Sequence, residues 1–322
     1  MNKKWSLNRN FDNYNEDIYK YLRKVYLNSL DYYVENYINK YPTGTKKLDL
    51  DVLDKSIRYL EDYMYYVLKV YSDDFVNVFN SLKRNVKTMT VLSKNQRGLY
   101  GQFIPFNGVI LINPELKGNG VLNNKERTRL YVCHELGHAV HFDWIHTLGK
   151  NIPKDKDGLL PLIYKGFDLI DEATTQNMAE DIAYCFANKD RPALRECRGL
   201  LFSGGSYKSN FDFYGNLQES ATMFSRTLRG IGKVKDDNTA LGLLSKRALN
   251  KNFVNDIVYE YTKDGHINDL HYLMTYFGII KRASYATFGY DDSKYIDMSG
   301  QALNEAKKLA HDLRDYRDPF VR

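Results

Sequence analysis

The chain has 322 residues, 43% of them hydrophobic and 27% charged, and its 46 Lys and Arg against 40 Asp and Glu give a formal charge of +6. That is enough apolar material for one large or two smaller cores, but no run of about 18 apolar residues exists to span a bilayer. The lysines are interspersed with carboxylates and form no basic block, so the electrostatic footprint of a nucleic-acid-binding protein is missing.

The opening residues, MNKKWSLNRNFDNYNEDIYKYL, lack an apolar h-region and a small-residue cleavage site, so no Sec signal is expected. Cys133, Cys185 and Cys197 are spaced for neither a disulfide framework nor a zinc ribbon, which points to a reducing, cytoplasmic location. From Asp17 to Tyr41 the positions Ile18, Leu22, Val25, Leu30, Val34 and Ile38 follow a helical period, ended by Pro42-Thr43-Gly44. A second helix is expected over Asp51–Tyr71 and a third over Asp74–Lys83. Tyrosines interleave with Leu, Val and Ile here, a pattern that suits rings packed inward with hydroxyls at the rim. Residues 1–86 therefore read as a helical N-terminal region without chemistry of its own.

At Val86 the texture changes. VKTMTVL and GLYGQFIPFNGVILINPE bring β-branched and aromatic residues bounded by Gly, Asn and Pro, and Asn107-Gly108 marks a hairpin. A helix over Lys125–Trp144 follows, so that residues 87–150 form a sheet plus helix. Beyond it come a loop, a helix around Asp171–Asn188, a Gly/Ser/Asn-rich stretch near 203–216 and a mostly helical remainder, making 151–322 a mainly helical region. The fold class expected is α+β, mostly helical, with a small antiparallel-containing sheet.

Within the Lys125–Trp144 helix the sequence reads VCHELGHAVHFDWIHT. His134 and His138 are four apart and share one helical face, so both imidazoles can reach one cation, with Glu135 able to reach a water on it. This is the HExxH arrangement of a catalytic Zn2+, one per chain, in which the glutamate acts as general base. His141 faces the same way but lies seven residues beyond His134, about 10 Å along the axis, too far for all three to share a zinc. It is assigned to the surroundings of the metal, and His146 to the surface. The metzincin pattern would need Gly at 141 and His at 144, where this chain has His141 and Trp144.

The best remaining donor is Glu172, in LIDEATTQNMAEDIAYCF, entering from the first turn of its helix; Glu180 and Asp181 are the next acids. HELGH followed by DEATTQ resembles the gluzincin group of zinc metallopeptidases, over about residues 98–188. The resemblance implies that His134, His138 and Glu172 are the ligands and Glu135 the base, in a zincin-like core whose upper subdomain is 87–150 and whose lower subdomain carries the third ligand. It also implies a peptide or protein substrate, pairing with the hairpin of residues 99–113 as an added strand. Gln176 stands where many of that group carry an aspartate that orients the first histidine; Asp171 or Glu180 would substitute. Tyr164, Tyr214 and His271 are candidates for the oxyanion or proton donor, with Asp269 close enough in sequence to orient His271. The function expected is that of a zinc metallopeptidase, an endopeptidase that hydrolyses peptide bonds by a metal-activated water; the alternative is a regulatory or catalytically weak zinc-binding protein-interaction module with a peptidase-like fold.

Overall fold

The computed structural model describes residues 6–38, 50–91, 101–112, 124–146, 148, 160–187, 212–286 and 296–317. Three strands and ten helices occur among them. They are α1 (Asn15–Tyr33), α2 (Leu50–Val70), α3 (Phe75–Asn85), β1 (Thr88–Val91), β2 (Gly101–Ile104), β3 (Val109–Ile112), α4 (Asn124–Ile145), α5 (Leu160–Ala187), α6 (Asp212–Thr227), α7 (Asp237–Ala248), α8 (Phe253–Lys263), α9 (Ile267–Ala286) and α10 (Ile296–Arg317). The protein is thus mostly helical α+β. The chain divides into two compact units, Met1–Phe142 with Met178–Cys197, and Asp143–Asn177 with Arg198–Arg322.

In the first unit the expected helical period is realised: Ile18, Leu22 and Val25 of α1 and Leu53, Ile57, Leu60, Met64 and Val67 of α2 are buried. The helix from Asp17 continues past Tyr33 as a π-helical turn, Val34–Ile38; its expected end at Tyr41 lies outside the described residues. Buried tyrosines do present their hydroxyls to partners, Tyr21 donating to the Leu82 carbonyl and Tyr66 to Asp181 Oδ2. The sheet has the order β1-β3-β2, with β1 parallel and β2 antiparallel to the central β3. β3 reads VILI because it is covered on both faces, the expected signature of a central strand. The hairpin turn is longer than a two-residue Asn-Gly loop. Residues 105–108 all lie in it, Gly108 has φ +63°, and Phe106 at the tip is 95% exposed.

Helix α4 is fixed to α2 by a buried ionic cluster. Asp62 takes Arg129 Nε at 3.2 Å and Arg9 Nη2 at 3.0 Å, and Arg129 also lies over the rings of Tyr59 and Phe186. Because α4 is buried almost all round, its apolar residues Leu130, Val132, Leu136, Ala139 and Trp144 carry along Arg129, His134, Glu135 and His141, all nearly inaccessible.

The second unit is built on Trp144, Phe167, Phe224, Phe253, Tyr261 and Phe277, and the Trp144 indole donates to the Ala248 carbonyl at 3.0 Å. Here the structure departs from the sequence reading: α5 starts at Leu160, not near Asp171. Pro161 fits the first turn, where its missing N–H is not needed. Gly166, a weak helix residue, is kept because a Cβ there would stand 2.2 Å from the Met274 carbonyl oxygen. Gly278 of α9 faces the Leu162 carbonyl oxygen at the same 2.2 Å, so α5 and α9 cross in backbone contact through two glycines.

Candidate metal centre

Helix α4 carries His134 and His138 one turn apart, and their Nε2 atoms converge to 2.9 Å with the rings nearly perpendicular. The third member comes from α5. Ligand atoms of His134, His138 and Glu172 all lie within 4.8 Å of one another, and this is the one such group found among the described residues. Two nitrogens and a carboxylate are a donor set that zinc accepts. A tetrahedral zinc would hold the two nitrogens about 3.3 Å apart given its usual bond lengths, so the pair needs to open by only a few tenths of an ångström.

Glu172 does not sit in the first turn of its helix, as expected from sequence; it lies twelve residues in from Leu160. The helix dipole, which acts within the terminal turn, therefore does not hold it. Two residues of α9 do. Lys281 Nζ lies 3.4 Å and the Tyr285 hydroxyl 3.3 Å from the same oxygen, Oε1. Lys281 follows Gly278 by three residues and Tyr285 by seven, so the close helix crossing puts them there. Burial pushes the Lys281 ammonium towards neutrality, but the carboxylates of Glu172 and Asp168 outweigh it and raise its pKa. Burial, reinforced by the charge of Glu172, pushes the Tyr285 phenol up to about 12, so it remains a donor at neutral pH.

Glu135 is 7% exposed and packs against the first residue of edge strand β2. An ideal Cβ on Gly101 would be 2.9 Å from Glu135 Cγ and 3.0 Å from its Oε1, so the strand can approach the carboxylate only with glycine at that position. Leu99 and Asn113, the ends of the expected substrate-pairing hairpin, lie outside the described residues, as does Cys197.

The other candidates are dispersed. Asp171 accepts from Thr175 Oγ1 at 3.3 Å, Gln176 is fully buried one turn beyond Glu172, and His141 is 1% exposed on α4 and not part of the three-ligand group. Tyr164 lies about 12 Å along α5 from Glu172 and packs on the core of the second unit. His271 is about 15 Å along α9 from Lys281. Asp269 pairs with His266 Nδ1 at 2.6 Å. Tyr214 belongs to α6, but its side chain is outside the described residues. Sequence reasoning missed Lys281 and Tyr285; the one available signal was a lysine set in the apolar run FGIIK.

The fold and site together define a mostly helical α+β protein with a His-His-Glu group that could hold a metal ion. No protein-family model, curated protein or solved structure matches the chain.

Proposed function

We propose that the protein is a zinc-dependent peptidase of the gluzincin kind, with His134, His138 and Glu172 as ligands and Glu135 as general base. The observation that carries this reading is the convergence of three ligand atoms within 4.8 Å, with a buried glutamate next to the first of them in sequence. A divalent ion held there supplies Lewis acidity and lowers the pKa of water towards about 7. Glu135 takes the proton from the attacking water and passes it to the leaving amine, and Gly101 keeps its carboxylate in register against β2. Tyr285, whose protonated hydroxyl donates to Glu172 Oε1 at 3.3 Å, orients that ligand. Among the described residues β2 stands at the edge of the sheet, and an extended peptide added there is the substrate this reading takes.

Two variants test the proposal. Glu135→Gln is expected to keep zinc and to lose cleavage of an unfolded protein such as denatured casein; cleavage at the wild-type rate sinks the assignment. Glu172→Ala is expected to weaken zinc binding by at least about tenfold, and a variant that binds zinc as well as wild type removes Glu172 from the ligand set. Zinc bound without any Glu135-dependent hydrolysis would leave a binding module with a peptidase-like fold.

A further inference from the structure

Lys281 is 4% exposed, and its ammonium sits between two acids of α5: 3.4 Å from Glu172 Oε1, 3.8 Å from Asp168 Oδ2 and 3.2 Å from the Asp168 carbonyl oxygen. Its stem is held by the apolar turn around it, with Ile279 and Ile280 in the core. A positive charge this close to a metal ligand competes with the metal for the same carboxylate. We infer that Lys281 sets the metal affinity of the centre: it supplies the positive charge Glu172 needs when metal is absent, and it repels the ion when metal enters. The ion is then held less tightly than it would be without that charge, so its occupancy follows the metal available. This inference rests on the metal-centre reading above.

The neighbouring contacts separate charge from scaffolding. Asp168 has a second cation, Lys165 at 3.1 Å, and so does not depend on Lys281 for neutralisation. Glu172 Oε1 keeps the Tyr285 hydroxyl as a neutral donor if Lys281 is lost. What Lys281 adds beyond such hydrogen bonding is a unit of positive charge 3.4 Å from Glu172 Oε1. Adding the 3.4 Å contact to the width of a carboxylate and a zinc–oxygen bond, the ammonium is no more than about 8 Å from an ion on that carboxylate. Between a single and a double charge at that separation, effective dielectrics of about 80 down to 20 give a weakening from about fivefold to about a thousandfold.

The test is a zinc titration against a chelating indicator, with melting curves of metal-free and zinc-loaded protein, for wild type, Lys281→Met, Lys281→Gln and Lys281→Arg. The two neutral variants are expected to bind zinc at least about fivefold more tightly than wild type. Their metal-free forms should melt lower and gain more on zinc addition, because ligand binding stabilises by linkage. Lys281→Arg keeps the charge and should match wild type. Neutral variants that bind zinc no more tightly, or more weakly while Lys281→Arg is normal, make Lys281 a structural support and overturn the inference. A wild type that binds no zinc at all overturns the metal-centre reading and this inference with it.

Discussion

Replacing Gly278 by alanine tests the crossing that assembles the surroundings of Glu172. The new Cβ would lie 2.2 Å from the Leu162 carbonyl oxygen, 3.0 Å from its carbon and 3.1 Å from its Cα. These are backbone atoms inside α5, so none can swing aside, and the helices must part by about 1 Å to restore ordinary contact. Overpacking of this kind costs about 1–3 kcal/mol, while the better helix propensity of alanine returns at most ~1 kcal/mol. The net is a loss of roughly 1–2 kcal/mol, or a melting temperature lower by about 2–8 °C for a body of this size. Gly300→Ala on α10 is the control, because nothing lies within 4 Å of a Cβ there; propensity alone acts, and it should stabilise by up to ~1 kcal/mol. Circular dichroism melts of both variants read the result: Gly278→Ala is expected to melt below both wild type and Gly300→Ala. If Gly278→Ala melts at or above Gly300→Ala, the backbone contact is not where the structure has it.

Three further outcomes follow from the same geometry. Asp62→Ala leaves Arg129, only 6% exposed, without its carboxylate; urea unfolding should show a loss of about 3 kcal/mol or more, and a change under 1 kcal/mol would deny the cluster its anchoring role. Gly101→Ala pushes a Cβ to 2.9 Å from Glu135 Cγ, so turnover should drop by about a hundredfold with zinc affinity unchanged; an unaltered rate would detach Glu135 from the chemistry. Cys133 is fully buried, and burial pushes its thiol pKa upward, so iodoacetamide at pH 8 should modify it only after denaturation; mass spectrometry showing it alkylated in the folded protein would contradict its placement.

Much of the first unit was legible because its helices are amphipathic. Ile18, Leu22 and Val25 repeat at the helical period because one face of α1 meets the core, and the same period runs through Leu53, Ile57, Leu60 and Met64 of α2, although tyrosines and acids bury its other sides as well. The start of α5 was not legible for the opposite reason. LPLIYKGFDLI is apolar in several directions, contains Pro161 and Gly166, and takes its helical form from a tertiary contact at Met274 that no local pattern announces. The same division runs through the candidate centre. His134, Glu135 and His138 are close in sequence, and a spacing of four is enough to bring two imidazoles together. The partners of Glu172 are 109 and 113 residues away, on a helix whose approach depends on two glycines, so periodicity could not nominate them.

Two carboxylates, Asp62 buried and Glu172 half-buried, differ in how they are held. Asp62 is saturated: two guanidiniums meet its two oxygens at 3.0 and 3.2 Å, with aromatic rings beneath Arg129. Nothing is gained there by another cation. Glu172 receives an ammonium and a phenol on a single oxygen, at 3.4 and 3.3 Å, well beyond the 2.7–2.9 Å typical of charge-assisted hydrogen bonds. A carboxylate offers about four lone-pair sites, so these two contacts do not by themselves stop it from taking a metal ion. With two imidazole nitrogens 2.9 Å apart in the same three-ligand group, Glu172 is the acid placed to share a metal ion. The tightly held acid, Asp62, gives α4 the rigidity that a metal centre requires of the helix carrying its histidines.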